Sequence, residues 1–309
     1  MKNTFCIKLW TEVYIHNDGH VFSCCNVKPV AYGNIYRNNL RDIVNNEIAQ
    51  SQRQASIEGR LHCYRRCNLL NKEDSKPQKK HPFVGYSDLK TLKMLFAEDC
   101  NIRCVMCRQK RKGSPTLDCK TLIDNVDISP FNSIGIEGGE PLFIDEVRRY
   151  FDHAVAQGKK VSFKTNGTLI DEQWAEKIAL HSEYLYISLN GATKKTHETV
   201  NRGSRWETVL RNIALVRAYR KKHNTPLSLL GHMTIVTKNV KEIPLFIRDF
   251  KLFGFDNIDF GYDKYTVPGY LMFHPFFKMI LKSKIRKEIQ ECTNPGAIDN
   301  LRLNSLGLL

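Results

Sequence analysis

The chain has 309 residues, with 47 Lys and Arg against 32 Asp and Glu and a formal net charge of +15. No apolar run is long enough to span a bilayer, and the start lacks the pattern of a secretion signal, so no membrane association is expected. Ten cysteines in such a chain predict metal ligation in a reducing, cytoplasmic compartment. The basic charge suits a phosphate-bearing substrate, an acidic partner or nucleic acid, although no nucleic-acid-binding motif supports the last.

The first 72 residues have the pattern of a small cysteine-rich unit. Their apolar residues alternate as in a strand, return after a turn signal, and then follow a helical period. A hairpin of this size cannot bury a core alone, so its cysteines predict a stabilising metal or cluster. The predicted elements are a strand over residues 6–15, a turn at 17–19, a returning strand over 20–25, and a helix over 40–54 with Leu40, Ile43, Val44 and Ile48 on its apolar face.

A polar, proline-containing segment over residues 73–86 predicts a linker. The apolar run that follows it, residues 91–96, leads into Cys100, Cys104 and Cys107 at C-x3-C-x2-C spacing. Three thiolates can hold three irons of a cubane 4Fe–4S cluster and leave the fourth iron open to a small molecule. Zinc prefers four closed ligands, and an odd set of cysteines disfavours disulfides. The motif therefore predicts a cluster at which chemistry takes place.

Strand and helix patterns alternate from residue 87 to residue 263. The six βα units average about 29 residues, the size of a right-handed βαβ unit, and parallel strands of this kind carry their site at their carboxyl ends. The predicted strands cover residues 91–97, 133–138, 160–165, 184–189, 227–235 and 257–261, and the predicted helices cover residues 119–126, 144–157, 171–181, 206–223 and 240–253.

A glycine-rich segment follows the second of these strands. Gly138 and Gly139 allow the backbone to approach a ligand closely, and Pro141 stiffens the turn. The carboxylate of Glu140 is a candidate acceptor for an ammonium group. Alone the segment indicates only a loop, but it follows the cysteine motif in order.

Short polar side chains end the next two strands. Thr165 and Asn166 end the third strand, where a helix N-cap is the alternative interpretation, above all for Thr168. Ser188 and Asn190 end the fourth strand.

These motifs, in this order, resemble the radical SAM superfamily over the residues up to about 263. The resemblance implies an α/β fold with a partial (β/α)6 barrel of TIM type, and S-adenosylmethionine bound at the open iron of the Cys100, Cys104 and Cys107 cluster. It implies that Glu140 accepts the amino group of that cofactor. The other implied cofactor-binding residues are Met106 through its backbone, Gly138, Gly139, Pro141, Thr165, Asn166, Ser188 at the ribose, Asn190 in place of a more usual Asp, Arg202 or alternatively Arg205 at the carboxylate, and Ile235 and Val236 at the adenine.

Two of these assignments have alternatives. The arginines could belong to a surface loop, and Ile235 and Val236 could belong to the barrel core. No catalytic side chain is assigned.

The N-terminal unit resembles the SPASM/twitch auxiliary-cluster module of radical SAM maturases. The resemblance implies that Cys6, Cys24, Cys63 and Cys67 hold a second 4Fe–4S cluster, with Cys25 as the alternative to Cys24 and zinc as the alternative metal. The module usually follows the barrel, and here it precedes it. The predicted domains are the module (residues 1–72), the linker (73–86), the radical SAM partial barrel (87–263) and a C-terminal extension (264–309).

The resemblance also implies an activity. S-adenosylmethionine is cleaved by one electron from a reductant such as flavodoxin or ferredoxin, and the resulting 5′-deoxyadenosyl radical removes a substrate hydrogen. A fully ligated second cluster would accept an electron, which predicts dehydrogenation of a sugar, nucleotide or other small polar substrate. Oxidation or crosslinking of a ribosomal peptide is the alternative. The other class of function is a non-catalytic iron–sulfur or zinc scaffold that binds nucleic acid.

Overall fold

The structure, a computed structural model, describes residues 5–24, 30–62, 67, 80–109 and 113–309. The predictions for Cys25 and Cys63 lie outside these residues. The chain folds as two compact units, a first of Met1–Asp99 with Lys110–Val161 and a second of Cys100–Gln109 with Ser162–Leu309. Within the described ranges, no helix is both long enough and apolar enough to cross a membrane.

The predicted strands and helices from residue 87 onward form with bounds that differ by three residues at most from the expectation. The strands are β1 Glu12–Ile15, β2 His20–Phe22, β3 Gly33–Asn34, β4 Thr91–Leu95, β5 Arg103–Cys104, β6 Ser133–Glu137, β7 Val161–Thr165, β8 Tyr184–Ser188, β9 Asn201–Arg202, β10 Ser228–Ile235, β11 Asn257–Tyr262 and β12 Ile298–Asp299. The helices are α1 Lys8–Thr11, α2 Leu40–Ile43, α3 Glu47–Ile57, α4 Cys119–Asn125, α5 Asp145–Ala156, α6 Glu172–His181, α7 Lys194–Val200, α8 Trp206–Lys222, α9 Ile243–Phe253, α10 Val267–Phe273, α11 Pro275–Glu291 and α12 Leu301–Ser305.

The first unit is built on the strand order β6-β4-β1-β2-β3. β4 is parallel to β6 and to β1, whereas the short strands β2 and β3 add antiparallel pairs. The first strand of the cysteine-rich segment thus extends a parallel sheet. The core beside it includes the rings of Phe96 and Tyr150, whose centroids lie 5.5 Å apart.

Two expectations for the cysteine-rich segment are wrong in detail. The strand predicted over residues 6–15 begins at Glu12, because residues 8–11 form α1 and bury Leu9 and Trp10. The helix predicted over residues 40–54 is two helices. The side chain of Asn46 caps α3 by accepting from the Ala49 N–H, and Ile48 is 46 % exposed instead of buried.

The second unit contains the parallel order β12-β11-β10-β8-β7 and a separate antiparallel pair of β5 and β9. Alternate residues of its strands, such as Leu185 and Ile187, are fully buried. The ring of Phe163 on β7 packs edge-on against Trp174 of α6, at 5.8 Å between centroids. The other face of the strands therefore carries the polar side chains.

The predicted C-terminal extension forms helices and a strand of the second unit. α10 and α11 follow β11, and β12 then pairs in parallel with β11 through Ile298 and Ile258. The boundaries of the four predicted domains stay predictions.

Candidate active site

The cluster motif lies in the second unit on a loop that the strand β5 fixes. Cys104 pairs with Asn201 of β9, and the Val105 N–H donates to the Val200 carbonyl at 2.9 Å. The Cys107 N–H donates to the Cys104 carbonyl at 3.1 Å, so the second and third cysteines share one turn. All three motif cysteines are half-buried.

Asn166 lies beside the first motif cysteine. Its amide Nδ2 is 3.8 Å from the Cys100 Sγ and donates to the Asn101 Oδ1 at 2.9 Å. Its Oδ1 accepts from the Thr168 N–H at 2.9 Å. The cap of α6 is Asp171, so the interpretation of Thr168 as a helix N-cap is wrong. Thr165, which is buried, accepts from the Gly167 N–H at 3.0 Å.

Asn190 is buried and its side chain is occupied by protein groups. Its Nδ2 donates to the Asn201 Oδ1 at 2.9 Å, and its Oδ1 accepts from the Thr234 N–H at 2.7 Å. An aspartate lacks the donor for Asn201, which explains why an amide suits this position. Asn190 thus ties the end of β8 to β9 and β10.

The other predicted residues of the second unit differ in exposure. Arg202 is exposed and pairs in register with Arg103 of β5. Ser188 and Met106 are half-buried, whereas Ile235 and Val236 are 0 % and 5 % exposed and belong to the core. The core alternative for these two apolar residues therefore agrees with their burial.

The glycine-rich segment lies in the first unit and packs against the backbone of residues 97–99. A Cβ on Gly139 would lie 1.9 Å from the Asp99 carbonyl oxygen, and a Cβ on Gly138, whose φ is +144°, would lie 2.4 Å from that of Ala97. The Gly139 and Glu140 N–H groups donate to those same two carbonyls, each at 2.9 Å. The two glycines, which are predicted to let the backbone approach a ligand closely, also let it pack against residues 97–99, just before the cysteine motif.

Glu140 is fully buried in the first unit. Its carboxylate accepts from the Leu142 N–H at 3.2 Å and so caps the short turn that begins at Pro141. Burial of a carboxylate costs free energy unless hydrogen bonds or a cation compensate its charge. Glu140 therefore stabilises this turn, and its carboxylate is also an acceptor for a cation.

The cysteines of the N-terminal unit that the structure describes differ in exposure. Cys6 is buried, and Cys24 and Cys67 are half-buried. The Cys6 N–H donates to the Ser56 Oγ at 2.9 Å. Outside both predicted sets, Cys119 is buried, and its burial and the nearby Glu146 raise its pKa to about 11, as expected of an inert thiol.

The donor chemistry of the motif loop fits a cubane cluster. Three accessible thiols lie on one loop, and an amide N–H points at the sulfur of Cys100. Among the described side chains, no three of His, Cys, Asp or Glu are gathered around a point as ligands of a single ion. A cubane carries its thiolates on different irons, so they stand further apart than the ligands of one ion.

A polar cluster in the second unit has no counterpart in the predictions. The Tyr186 hydroxyl donates to the Asp259 carboxylate and lies 2.8 Å from the His232 Nδ1. That nitrogen is 2.7 Å from the Asp259 Oδ1, and the Nε2 of the same ring is 3.0 Å from the Thr234 Oγ1. The Lys164 ammonium lies 5.0 Å from the centre of the Tyr186 ring. The four strands β7, β8, β10 and β11 each contribute to it.

The electrostatics of this cluster suit proton transfer. Burial lowers the pKa of His232 more than the hydrogen-bonded Asp259 raises it. Burial opposes ionisation of Asp259, but the hydrogen bonds from His232 and Tyr186 keep its pKa below the ordinary value. A cavity of about 270 Å³ adjoins the cluster, lined by Tyr186, Asp259, Leu230, Asn257 and Asp299 among others. Polar residues at alternate positions of otherwise apolar strands were the signal in the sequence.

Comparison with known proteins identifies the family. The model of the radical SAM superfamily matches residues 94–249, half of the chain, and that of the SPASM iron–sulfur cluster-binding domain matches residues 6–68. The S-adenosylmethionine-dependent nucleotide dehydratase RSAD2 of Oncorhynchus mykiss is 27 % identical over 156 residues, 48 % of this chain and 44 % of that protein. Mycofactocin maturase MftC of Mycolicibacterium smegmatis is 35 % identical over 109 residues, 33 % of this chain and 27 % of that protein.

Among solved structures, native anSMEcpe with bound AdoMet is 19 % identical and aligns over 68 % of this chain and 63 % of that one with a TM-score of 0.48. The chain covers less than half the length of the two curated relatives named above.

The family matches confirm the α/β fold class and the order of the two parts, with the SPASM module ahead of the radical SAM domain. They also confirm the expected cofactors, a 4Fe–4S cluster, S-adenosylmethionine and a further iron–sulfur cluster. The chain belongs to the radical SAM superfamily and is a radical SAM enzyme with an N-terminal SPASM module, and a third of it is similar to a mycofactocin maturase.

Proposed function

We propose that this enzyme oxidises its substrate by two electrons. The observation that carries the proposal is the set of Cys100, Cys104 and Cys107 on one fixed loop, which offers three thiolates and, in its described part, no fourth. With S-adenosylmethionine bound at the open iron, such a cluster supplies the 5′-deoxyadenosyl radical that removes a substrate hydrogen atom.

The chain's own residues bind and orient the cofactor in this proposal. Asn166 donates to the Cys100 sulfur, and a hydrogen bond to a cluster thiolate favours the reduced state. Glu140 accepts the cofactor's ammonium group, Ser188 bonds the ribose, and Arg202 takes the carboxylate.

Oxidation also releases a proton and a second electron. We propose that the proton passes to the Asp259 and His232 pair through the Tyr186 hydroxyl, because these groups are hydrogen-bonded to each other and Tyr186 and Asp259 line a cavity. Cys6, Cys24, Cys63 and Cys67 would hold the second cluster, which would serve as the acceptor for this electron. The hydrogen atom leaves on 5′-deoxyadenosine, so the atoms and electrons balance.

For the substrate we favour a peptide. The similarity to the mycofactocin maturase supports this choice, and so does the SPASM match, because that module resembles the auxiliary-cluster module of radical SAM maturases. A nucleotide or other small anionic substrate is the second candidate, since the chain carries a net charge of +15 and is similar to a nucleotide dehydratase. A basic surface also suits an acidic one-electron donor such as flavodoxin or ferredoxin in the cytoplasm.

The test is anaerobic reconstitution with iron and sulfide, followed by reduction with dithionite in the presence of S-adenosylmethionine. We expect 5′-deoxyadenosine and methionine in equal amounts, and none from a Cys104→Ala variant. Cys292→Ala is the matched control and should retain the activity, because this half-buried cysteine lies outside both ligand sets. Iron-loaded protein that never cleaves S-adenosylmethionine would contradict the proposal.

A further inference from the structure

The first unit buries the positive charge of an arginine. Arg53 on α3 is 1 % exposed. Its Nε donates to the Leu9 carbonyl at 2.9 Å, its Nη1 to the Pro82 carbonyl at 2.8 Å and its Nη2 to the Val44 carbonyl at 2.5 Å. Within the described ranges, no carboxylate forms an ion pair with it. Carbonyl oxygens solvate a guanidinium but leave its charge uncompensated, which favours an anion nearby.

A buried hydroxyl lies in the same region. Tyr32 is 4 % exposed, and the Ser23 hydroxyl donates toward its oxygen, which leaves the phenol's own hydrogen available for donation. Burial raises the pKa of this phenol, the nearby Ser23 hydroxyl and the Arg53 guanidinium act to lower it, and the Cys24 and Cys6 thiols act to raise it. The Tyr32 N–H donates to the Val21 carbonyl at 2.8 Å, and Val21 lies three residues before the predicted cluster ligand Cys24. A hydroxyl so placed has a hydrogen bond to give.

The same helix is connected to the turn that begins at Cys6. Ser56, one turn after Arg53 on α3, accepts from the Cys6 N–H at 2.9 Å. Leu9, whose carbonyl Arg53 holds, donates its own N–H to the Cys6 carbonyl at 3.4 Å. The guanidinium thus bonds the turn that begins at a cluster ligand.

We propose that Arg53 and Tyr32 set the reduction potential of the auxiliary iron–sulfur cluster, Arg53 by its buried charge and Tyr32 by a hydrogen bond to a cluster sulfur. The proposal rests on the proposed function, in which that cluster accepts an electron. One-electron reduction adds a negative charge to an already anionic thiolate cluster. A nearby cation and a donor to sulfur both stabilise that charge, so both raise the potential. Neither residue ligates iron, and both are positioning residues.

The test isolates the auxiliary cluster by replacing Cys100, Cys104 and Cys107 with Ala. The midpoint potential of the remaining cluster is then measured by dithionite titration with EPR detection. We expect Arg53→Met to lower the equilibrium constant for reduction about tenfold, which for one electron is about 59 mV. Arg53→Lys keeps the charge and should retain most of the potential. Tyr32→Phe should lower the constant about threefold, the smaller effect of one hydrogen bond.

Arg41→Met is the matched control, because it removes a charge from the same unit at an exposed residue whose partner is Asp127. It should change the constant less than twofold, since solvent screens exposed charges. If Arg53→Met fails to fold, Tyr32→Phe decides: a lowered potential supports the proposal and an unchanged one overturns it.

The experiment separates failure of this inference from failure of the proposed function. A four-iron cluster whose potential is the same in the parent, Arg53→Met and Tyr32→Phe overturns this inference and leaves the proposed function intact. A triple-Ala parent that holds zinc or no cluster overturns both.

Discussion

Glu242 should fix the loop that follows β8, and its replacement should loosen that loop selectively. The carboxylate is 5 % exposed. Its Oε2 accepts from the N–H groups of Ala192 and Thr193 at 2.8 and 3.2 Å, and its Oε1 accepts from the hydroxyls of Thr193 and Thr196 at 2.8 and 2.5 Å. Four donors therefore converge on one carboxylate, which no described cation neutralises.

Glu242→Gln keeps the shape of the side chain and replaces one acceptor oxygen with an NH2 donor. The less costly orientation turns the new NH2 toward the two hydroxyls, which can rotate, and keeps the oxygen on the backbone N–H groups of Ala192 and Thr193. Hydrogen bonds to a charged group contribute about 1.5–3 kcal/mol each, and rotated hydroxyls recover part of two of them. We therefore expect a loss of about 2 kcal/mol for local opening, or ~30-fold faster amide exchange.

Hydrogen–deuterium exchange with mass spectrometry measures this directly on peptides that cover residues 190–197. Glu183→Gln is the control, because Glu183 is an exposed residue of the same unit and its side chain has no ion-pair partner among the described residues. It should leave exchange in that segment within about twofold. An exchange rate in Glu242→Gln that matches the control would refute the role given to this carboxylate.

Three further predictions concern other parts of the chain. Burial lowers the pKa of His197 to about 4 from 6.5, so below pH 6.5 the unfolded chain binds a proton that the folded chain does not. The free energy of unfolding should therefore fall by about 3 kcal/mol as pH drops from 6.5 to 4. Urea unfolding at each pH measures this, and His197→Gln should make the free energy of unfolding depend less on pH. Gly139→Ala should abolish soluble expression, because its Cβ would lie 1.9 Å from a backbone carbonyl, whereas Gly269→Ala, with open space around it, should raise the melting temperature. Asn166→Ala should shift the EPR spectrum of the Cys100 cluster while iron content stays constant; an unchanged spectrum contradicts the contact.

The elements that the sequence predicts well are those with a strong local period. α8, for example, begins at Trp206 as expected, and β8 begins at Tyr184. The spaced cysteines and the Gly-Gly-Glu-Pro segment predict the family because residue type and spacing alone carry that chemistry.

The incorrect predictions share one physical cause: tertiary contacts, and not the local sequence, determine the structure of short or polar segments. Lys8–Thr11 turns into a helix where Leu9 and Trp10 gain burial, and the Asn46 cap divides a helical pattern that looked continuous. The Tyr186, His232 and Asp259 cluster needs three strands to be in register before its members meet, and no single stretch of sequence contains that information.

The unusual order of the two parts has a structural counterpart in the first unit. β1 begins six residues after Cys6, beyond α1, and pairs in parallel with β4, with Glu12 opposite Thr91 and Ile15 opposite Met94. β4 in turn ends five residues before Cys100. A module that comes first in the chain thus supplies a neighbour to the strand that leads into the cluster motif. The ladder between β1 and β4 makes the N-terminal segment part of the sheet, so removal of the module would expose a strand edge as well as delete a cluster.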